Sequence, residues 1–313
     1  MTVYNLCFAW NWEYDTDFAA LLHNACGSKG LSLFQVTPDN LDGLMYSLGE
    51  QMIHFQVLFD RASDVDERFR PLALWADERG MKCINSYEKA SPTWDKAVMH
   101  ECLINAGLPT PETIILPPYN EEPVIHPMNL ETLGEQFNIK PAHGSGGDGV
   151  VLEATSFSHV LTVRQEYPKD RYLIQANIIP KELESRPAWF RVIYCAERVY
   201  ACWWNPQTHV YNPVTAEEES HYGLDPLYDI TETIANLTGL DLFSTEIAFT
   251  YDDHFVVVDY VNDPIDLRIQ SKAPDAVPDG IVVDIAERLA SLVGRHCKLP
   301  AAEKVVGLTG SPK

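Results

Sequence analysis

A chain of 313 residues with 46% hydrophobic content can form two or three packed units, and its formal net charge of -22 makes the surface repulsive to nucleic acid and to anionic lipid, since no basic patch interrupts it. Its seven cysteines lack the paired spacing of a zinc site, the N-terminus has no basic leader, and no stretch reaches ~18 uninterrupted apolar residues. The expectation is a reduced, cytoplasmic protein with neither nucleic-acid nor membrane partner.

Residues 3–9 (VYNLCFA) read as a buried strand, 17–26 as an amphipathic helix stopped by Gly27 and Gly30, and 31–36 as a second strand. A helix over 41–48, a strand over 55–63, a helix over 65–79 ending at Gly80 and a strand over 81–85 follow. Strand and helix alternating at this interval predict a small parallel sheet with helices on its faces, whose ligands sit at the carboxyl ends of the strands. Trp10, Trp12 and Tyr14 follow the first strand and read as core edge rather than pocket.

The stretch 91–107 reads as a helix opened by Ser91 and Pro92 and stopped by Gly107. Lys96 falls in its first turn, where the helix dipole disfavours a cation; it is either a surface lysine or one that faces a phosphate together with the helix N-terminus. A strand over 108–116, a turn-rich connection and a helix over 130–137 lead to IKPAHGSGGDGVV at 139–151. Gly144, Gly146, Gly147 and Gly149 lack the Cβ that blocks tight turns and close approach, so the loop can aim several backbone N–H groups at one oligophosphate, with Lys140 before it as a compact charge. The spacing fits neither a Walker loop nor a dinucleotide fingerprint, and a strand follows instead of a long helix. The expected device is a flap between antiparallel strands closing over a nucleotide. A helix over 157–166 and a strand over 172–179 complete a small α+β lid.

From 189 to 204 two apolar runs form a hairpin, and the polar, proline-rich stretch 205–225 reads as a mobile loop covering substrate, in which His209 and Asn212 are candidates to face the acceptor, a solvated histidine being the favoured alternative. A helix over 226–238 ends at Gly239, a hairpin spans 245–261, a helix runs over 282–293, and the tail from Pro300 is expected to fray. Asp259 and Asn262 emerge from an apolar strand, with Glu246 on the antiparallel strand before it: three oxygen donors suited to Mg²⁺. In a regular strand Asp259 and Asn262 point to opposite faces, so a bulge must sit between them.

Taken in order, these features resemble the ATP-grasp superfamily over Ser91 to Val293. Lys96 in WDKAVMHECLINAGLPTP is similar to the family's helix lysine, and Lys140 to its strand lysine before the glycine flap. Gln175 onward resembles the hinge strand, with Ala176 in place of the usual acid. Arg191 in WFRV looks like the arginine that meets the phosphates. Glu246, Asp259 and Asn262 look like the metal acids and asparagine, with one residue more than usual between the last two.

The resemblance implies an α/β and α+β architecture, the ATP-grasp fold. Its expected parts are an N-terminal Rossmann-like pre-ATP-grasp unit (1–92), a glycine-flap lid subdomain (93–178), a C-terminal α+β subdomain with the metal site (179–299) and a flexible tail (300–313). It implies nucleotide contacts from Lys96, Lys140, His143, Gly144, Ser145, Gly146 and Gly147, and hinge contacts from Gln175, Ala176, Asn177 and Ile178, those at the hinge through backbone. Arg191 and Arg268 would be catalytic, and Glu246, Asp259 and Asn262 would hold Mg²⁺, or Mn²⁺ in its stead. The implied activity is ATP-dependent ligation of a small-molecule carboxylate, activated as an acylphosphate, to an amine, or less favourably a thiol. A kinase acting on a hydroxyl and a silent nucleotide-binding protein are the alternatives. The two substrates are not readable, and the oligomeric state is open, a homodimer being one option.

Overall fold

The first 84 residues alternate β-branched or aromatic runs with amphipathic helices, and in the computed structural model they fold accordingly. The structure describes residues 1–144 and 146–298. Ser145, expected among the loop contacts, and the expected flexible tail 300–313 lie outside the described residues. The chain divides into two units: Met1–Tyr87 together with the chain from Val283, and Glu88–Val282.

In the first unit the order is β1 (Thr2–Trp10), α1 (Thr16–Ser28), β2 (Leu33–Val36), α2 (Leu41–Gly49), β3 (Ile53–Arg61), α3 (Arg70–Glu78) and β4 (Lys82–Ile84). The strands form one parallel sheet in the order β2-β1-β3-β4. Crossover helices cover such a sheet on both faces, which is why its strands are continuous apolar runs. Leu6, Cys7, Phe8 and Ala9 are all fully buried. At the carboxyl end of β3, Arg61 forks onto Asp15 at 2.8 and 2.9 Å, a buried pair joining the strand to the start of α1. The predicted helix over 65–79 begins only at Arg70, because 65–69 is spent on turns.

The second unit opens with a short helix α4 (Tyr87–Ala90) and a 3₁₀ turn (Ser91–Trp94), then α5 (Lys96–Asn105). Ser91 and Pro92 therefore do not start the long helix. Asp95, in an extended conformation, caps α5 by accepting from Ala97 N and Val98 N at 2.9 and 3.2 Å, and Lys96 becomes the first helical residue. Then come β5 (Thr113–Leu116), β6 (Phe137–Pro141), β7 (Val151–Ala154), α6 (Phe157–Val163) and β8 (Tyr172–Ala176), with an antiparallel sheet in the order β5-β8-β6-β7. The helix expected over 130–137 is absent: only a 3₁₀ turn at Glu131–Leu133 forms. Gly134 at φ 88° breaks it, and Phe137 and Ile139 alternate inward as a strand against Leu133, Val160 and Tyr172.

A two-residue pair β9 (Glu182–Leu183) and β10 (Arg186–Pro187) precedes the larger sheet. That sheet comprises β11 (Trp189–Cys195), β12 (Arg198–Trp204), β13 (Tyr211–Pro213), β14 (Leu242–Phe249) and β15 (Phe255–Asn262), ordered β13-β12-β11-β14-β15. Between β13 and β14 lie α7 (Ala216–Tyr222) and α8 (Pro226–Thr238), and the chain closes with α9 (Asp279–Lys298). The stretch 205–225 is thus not a featureless loop. Thr215 and Glu218 form a reciprocal capping box that starts α7, and Gly223 ends it in the left-handed conformation. One face of the larger sheet carries Phe190, Val192, Ala201, Trp203 and Phe243, which pack with Leu227, Ile230 and Ile234 of α8 and with Met99 and Leu103 of α5. The opposite face carries Arg191, Ser244 and Glu246 beside buried apolar residues such as Ile193 and Ala248. No helix among the described residues is long and apolar enough to cross a membrane.

Candidate functional site

Register alone assembles a polar row on that face. Tyr211 pairs with Trp204 across β13 and β12, Arg191 pairs with Glu246 across β11 and β14, and Glu246 pairs with Asp259 across β14 and β15. Directly opposed residues of antiparallel strands share a face, so Arg191, Glu246 and Asp259 stand side by side. Arg191 Nη1 donates to Glu246 Oε1 at 2.6 Å and its Nε to Ser244 Oγ at 3.2 Å. Trp189 Nε1 donates to Glu246 Oε2 at 3.2 Å. Neither Trp189 nor Ser244 was singled out by sequence, although each stands two positions from a chosen residue, the spacing at which strand side chains share a face.

The bulge expected between Asp259 and Asn262 is present. Ser244 pairs with Asn262 and Glu246 with Asp259, so β15 spends one residue more than β14; a second shift follows at once, where Ile247 pairs with Val257. Each shift adds a residue to β15 and turns Asp259 and Asn262 to the same side as Glu246 and Ser244. Asn262 Nδ2 lies 3.5 Å from Ser244 O.

Lys140, on β6 of the smaller sheet, reaches the larger one: its Nζ lies 3.4 Å from Val258 O, the carbonyl just before Asp259. Burial pulls the Lys140 ammonium below the usual lysine range, against the opposing pull of Asp259 and Glu246. Burial and the neighbouring Asp259 push the Glu246 carboxyl up, against Arg191. For Asp259, burial would do the same, but Lys96, Lys140 and Arg191 outweigh it and hold the group below the ordinary carboxylate range. The result is a desolvated cluster of mixed sign, with its charge concentrated at one end of two sheets.

Lys96 meets the glycine loop twice, through its backbone N on Ala142 O at 2.8 Å and its Nζ on Gly144 O at 2.5 Å. Sequence placed it in the first turn of α5; its contact with the loop is tertiary. His143 donates its backbone N–H to Asp170 Oδ2 at 2.8 Å and places Nδ1 2.9 Å from Asp170 Oδ1. The Asp170 hydrogen bond raises the His143 pKa, and burial works against it. Arg171 donates to Asp95 Oδ2 at 2.6 Å, tying the helix cap to the strand behind the loop. Gly146 and Gly147 hold positive φ of 62° and 81° at the exposed turn of the flap. At Gly149, φ 68°, an added Cβ would fall 2.5 Å from Tyr167 Cε2, so both conformation and space demand glycine. The Tyr167 hydroxyl in turn donates to Asp148 Oδ2 at 2.8 Å, anchoring the flap from one side.

Five further expected positions have partners within the chain. The Gln175 side chain is buried, not presented to a ligand: its Nε2 donates to Tyr260 Oη at 2.7 Å and Thr113 Oγ1 at 3.1 Å. The Ala176 amide is also engaged, donating to Glu112 O at 2.9 Å, and Asn177 and Ile178 follow the end of β8. Arg268 is held by Asp266 at 2.7 Å and Asp275 at 3.0 Å, so its charge is already matched by two carboxylates. His209 and Asn212, expected to face one acceptor, are separated by the strand pleat. His209 stacks on Trp204 with centroids 5.3 Å apart, while Asn212 pairs with Trp203 on the opposite face.

Mg²⁺ is the metal that the donor chemistry suits. Glu246, Asp259 and Asn262 offer hard oxygens on adjacent strands. Among the described residues no group of three or more His, Cys, Asp or Glu side chains converges into a metal cage. Such an oxygen set suits an ion that takes few protein ligands and fills its shell with water and phosphate oxygens.

No protein-family model matches the sequence, and no curated protein matches it. Solved structures do. The chain is similar to a RimK-domain ATP-grasp protein from Sphaerobacter thermophilus, with a TM-score of 0.63, 19% identity, and coverage of 91% of this chain and 98% of that one. It is similar to the ATP-grasp ligase PsnB in complex with a phosphomimetic variant of its minimal precursor, Mg and ADP, with a TM-score of 0.64, 14% identity, and coverage of 95% and 100%. It is also similar to D-alanine–D-alanine ligase from Bacillus anthracis in complex with ATP, with a TM-score of 0.61, 11% identity, and coverage of 94% and 99%.

Proposed function

We propose that this chain, whose fold is ATP-grasp, is an ATP- and Mg²⁺-dependent ligase that joins a small-molecule carboxylate to an amine. The observation that carries the reading is the meeting of Lys140 with β15: a lysine behind a glycine flap reaches the carbonyl next to Asp259, 118 residues away, at the row Arg191–Glu246–Asp259. A flap with several backbone N–H groups, two lysines and an arginine, beside two acids that suit a divalent cation, is the equipment for holding a triphosphate.

In this reading 93–178 is the lid subdomain and 179–299 carries the metal site, with 1–92 as a separate Rossmann-like unit. Lys96 and Lys140 hold phosphate oxygens as point charges. His143, Gly144, Gly146 and Gly147 cover them from the flap, and Asn177 and Ile178 meet the base through backbone. Arg191, oriented by Glu246 and Ser244, faces the phosphoryl group in transit and stabilises the charge that builds on it. Glu246, Asp259 and Asn262 would hold Mg²⁺, which would supply positive charge against the charge that builds on the phosphoryl oxygens. The γ-phosphoryl passes to a carboxylate oxygen and releases ADP; the amine then attacks the acyl carbon, loses a proton and expels phosphate. No side-chain nucleophile is needed for these two steps.

Phosphate release from Mg-ATP tests this against pools of amino acids and small carboxylates supplied singly and in pairs. A ligase turns over only when acid and amine are both present. A stable phosphomonoester from one substrate would instead establish a kinase, and ATP binding with no turnover against any pair would establish a silent binder.

A further inference from the structure

The polar row has an aromatic end. Tyr211 pairs with Trp204 across β13 and β12, and Arg191 pairs with Cys202, two positions before Trp204, across β11 and β12. Strand side chains two positions apart share a face, so Trp204 and Tyr211 stand on the side of the sheet that carries Arg191. The Arg191 guanidinium carbon lies 5.1 Å from the centre of the Trp204 ring, within cation–π range. His209 stacks on the indole with 4° between the planes, and the centre of the Tyr211 ring lies 4.6 Å away.

One polar atom in this group is left over. Trp204 is 8% exposed, and its Nε1 is buried without a hydrogen-bond partner among the described residues. An indole nitrogen only donates, and a buried donor costs free energy until an acceptor arrives. Trp189 Nε1, on the same face, already has Glu246 as its acceptor. Burial pushes the Tyr211 hydroxyl up to about 12, so it stays neutral and sets no negative charge against an incoming anion. Asp266, the nearest carboxylate on that side to act on Tyr211, is held by Arg268 at 2.7 Å.

Direction decides what the acceptor is. Glu246 faces Arg191 from β14, Asp259 lies beyond it on β15, and the Lys140 ammonium arrives at β15 as well. Trp204, on β12, lies across Arg191 from all three. The groups assigned to the phosphates and the metal thus occupy one side of the guanidinium, and the unpaired donor occupies the other. In phosphoryl transfer the attacking and leaving oxygens lie roughly in line through phosphorus, so the group that approaches from the far side of Arg191 is the nucleophile.

We propose that Trp204 recognises the acyl substrate: its indole N–H donates to one carboxylate oxygen beside Arg191, while the other oxygen attacks the γ-phosphorus as the bond to ADP breaks. This rests on the ligase reading and adds to it the donor that selects a carboxylate. Arg191 supplies the charge and Trp204 a fixed direction, so a neutral isostere of the carboxylate is disfavoured.

The full chain, isotope-labelled at tryptophan, is saturated with Mg-AMPPNP and titrated with sodium acetate, the smallest probe that carries the group, or with acetamide at the same ionic strength. Acetate should move the Trp204 indole proton saturably downfield, with acetamide at least about tenfold weaker, the scale of one hydrogen bond to a charged group. Trp204→Phe keeps a ring for Arg191 and His209 to stack on but has no N–H. It should weaken acetate by a similar factor, read from the carboxylate carbon signal, and leave the Kd for Mg-AMPPNP unchanged. No saturable shift of Trp204 with acetate, equal binding of the two probes, or undiminished acetate binding by Trp204→Phe overturns the inference. A shift that Mg-AMPPNP alone completes also overturns it, because the indole would then belong to a phosphate. The wild-type titration needs no variant, so a misfolded Trp204→Phe does not rescue the claim. Failure of the wild type to bind Mg-AMPPNP has a different signature: it would overturn the nucleotide reading, and this inference with it.

Discussion

Arg191 and Glu246 stand opposite each other on β11 and β14 with Nη1 2.6 Å from Oε1, their side chains 15% and 14% exposed. An ion pair this far from water recovers its desolvation cost only while both partners are present. Glu246→Leu should therefore cost about 3 kcal/mol by leaving the guanidinium uncompensated, whereas Arg191→Met together with Glu246→Leu should recover most of it. Urea unfolding of the two variants checks this; equal losses in both would mean that the pair acts independently of its charge.

Lys140 lies in the same cluster with its pKa pulled down by burial. A lysine whose folded pKa is below its unfolded value carries a charge that opposes folding, and the penalty fades as pH rises through the folded pKa toward the unfolded one. Lys140→Met should thus leave the nucleotide-free protein as stable as the wild type or more so at neutral pH. ATP should bind it at least about tenfold more weakly, ~1.4 kcal/mol. Thermal unfolding with and without Mg-ATP separates the two effects. A lower Tm without nucleotide, combined with an unchanged ATP-induced rise, would assign the lysine to the scaffold instead.

Gly149→Ala and Gly146→Ala form a matched pair, since both positions have positive φ but only at Gly149 would the new Cβ meet Tyr167. The left-handed conformation alone costs ~1 to 2 kcal/mol, and Gly146→Ala should show no more than that. Gly149→Ala should exceed it and should free the Tyr167 ring from Asp148. Hydrogen exchange at Asp148 and Val150 reports the loosening, and equal protection in both variants would contradict the packing argument.

His143 titrates with Asp170 as its partner, and that hydrogen bond raises the pKa of the ring. A raised histidine contributes stability that is complete below its unfolded value of about 6.5 and is lost as pH climbs through the folded pKa. The Tm of the wild type relative to His143→Gln should therefore decline from mildly acid to mildly alkaline pH. A difference independent of pH would show that Asp170 holds the backbone N–H of the loop and not the ring.

The features decided by a residue and its near neighbours were legible in the chain itself. Four glycines between β-branched runs could only be a tight turn between strands, and alternation with period two required a bulge before Asp259 and Asn262 could share a side, as the shifted register of β14 and β15 bears out. The strand-helix alternation of the first unit was legible for the same reason. Contacts made across strands and between sheets were not, because register is selected by burying a whole core at once and no local pattern encodes it. Only the tertiary structure set Trp189 and Ser244 around Glu246 and Arg191, engaged the Ala176 amide with Glu112, matched Arg268 to Asp266 and Asp275, and turned Gln175 and His100 toward Tyr260. The helix expected over 130–137 failed for the same reason, since its apolar residues satisfy a helical period in isolation but fill the smaller core only as a broken turn and a strand.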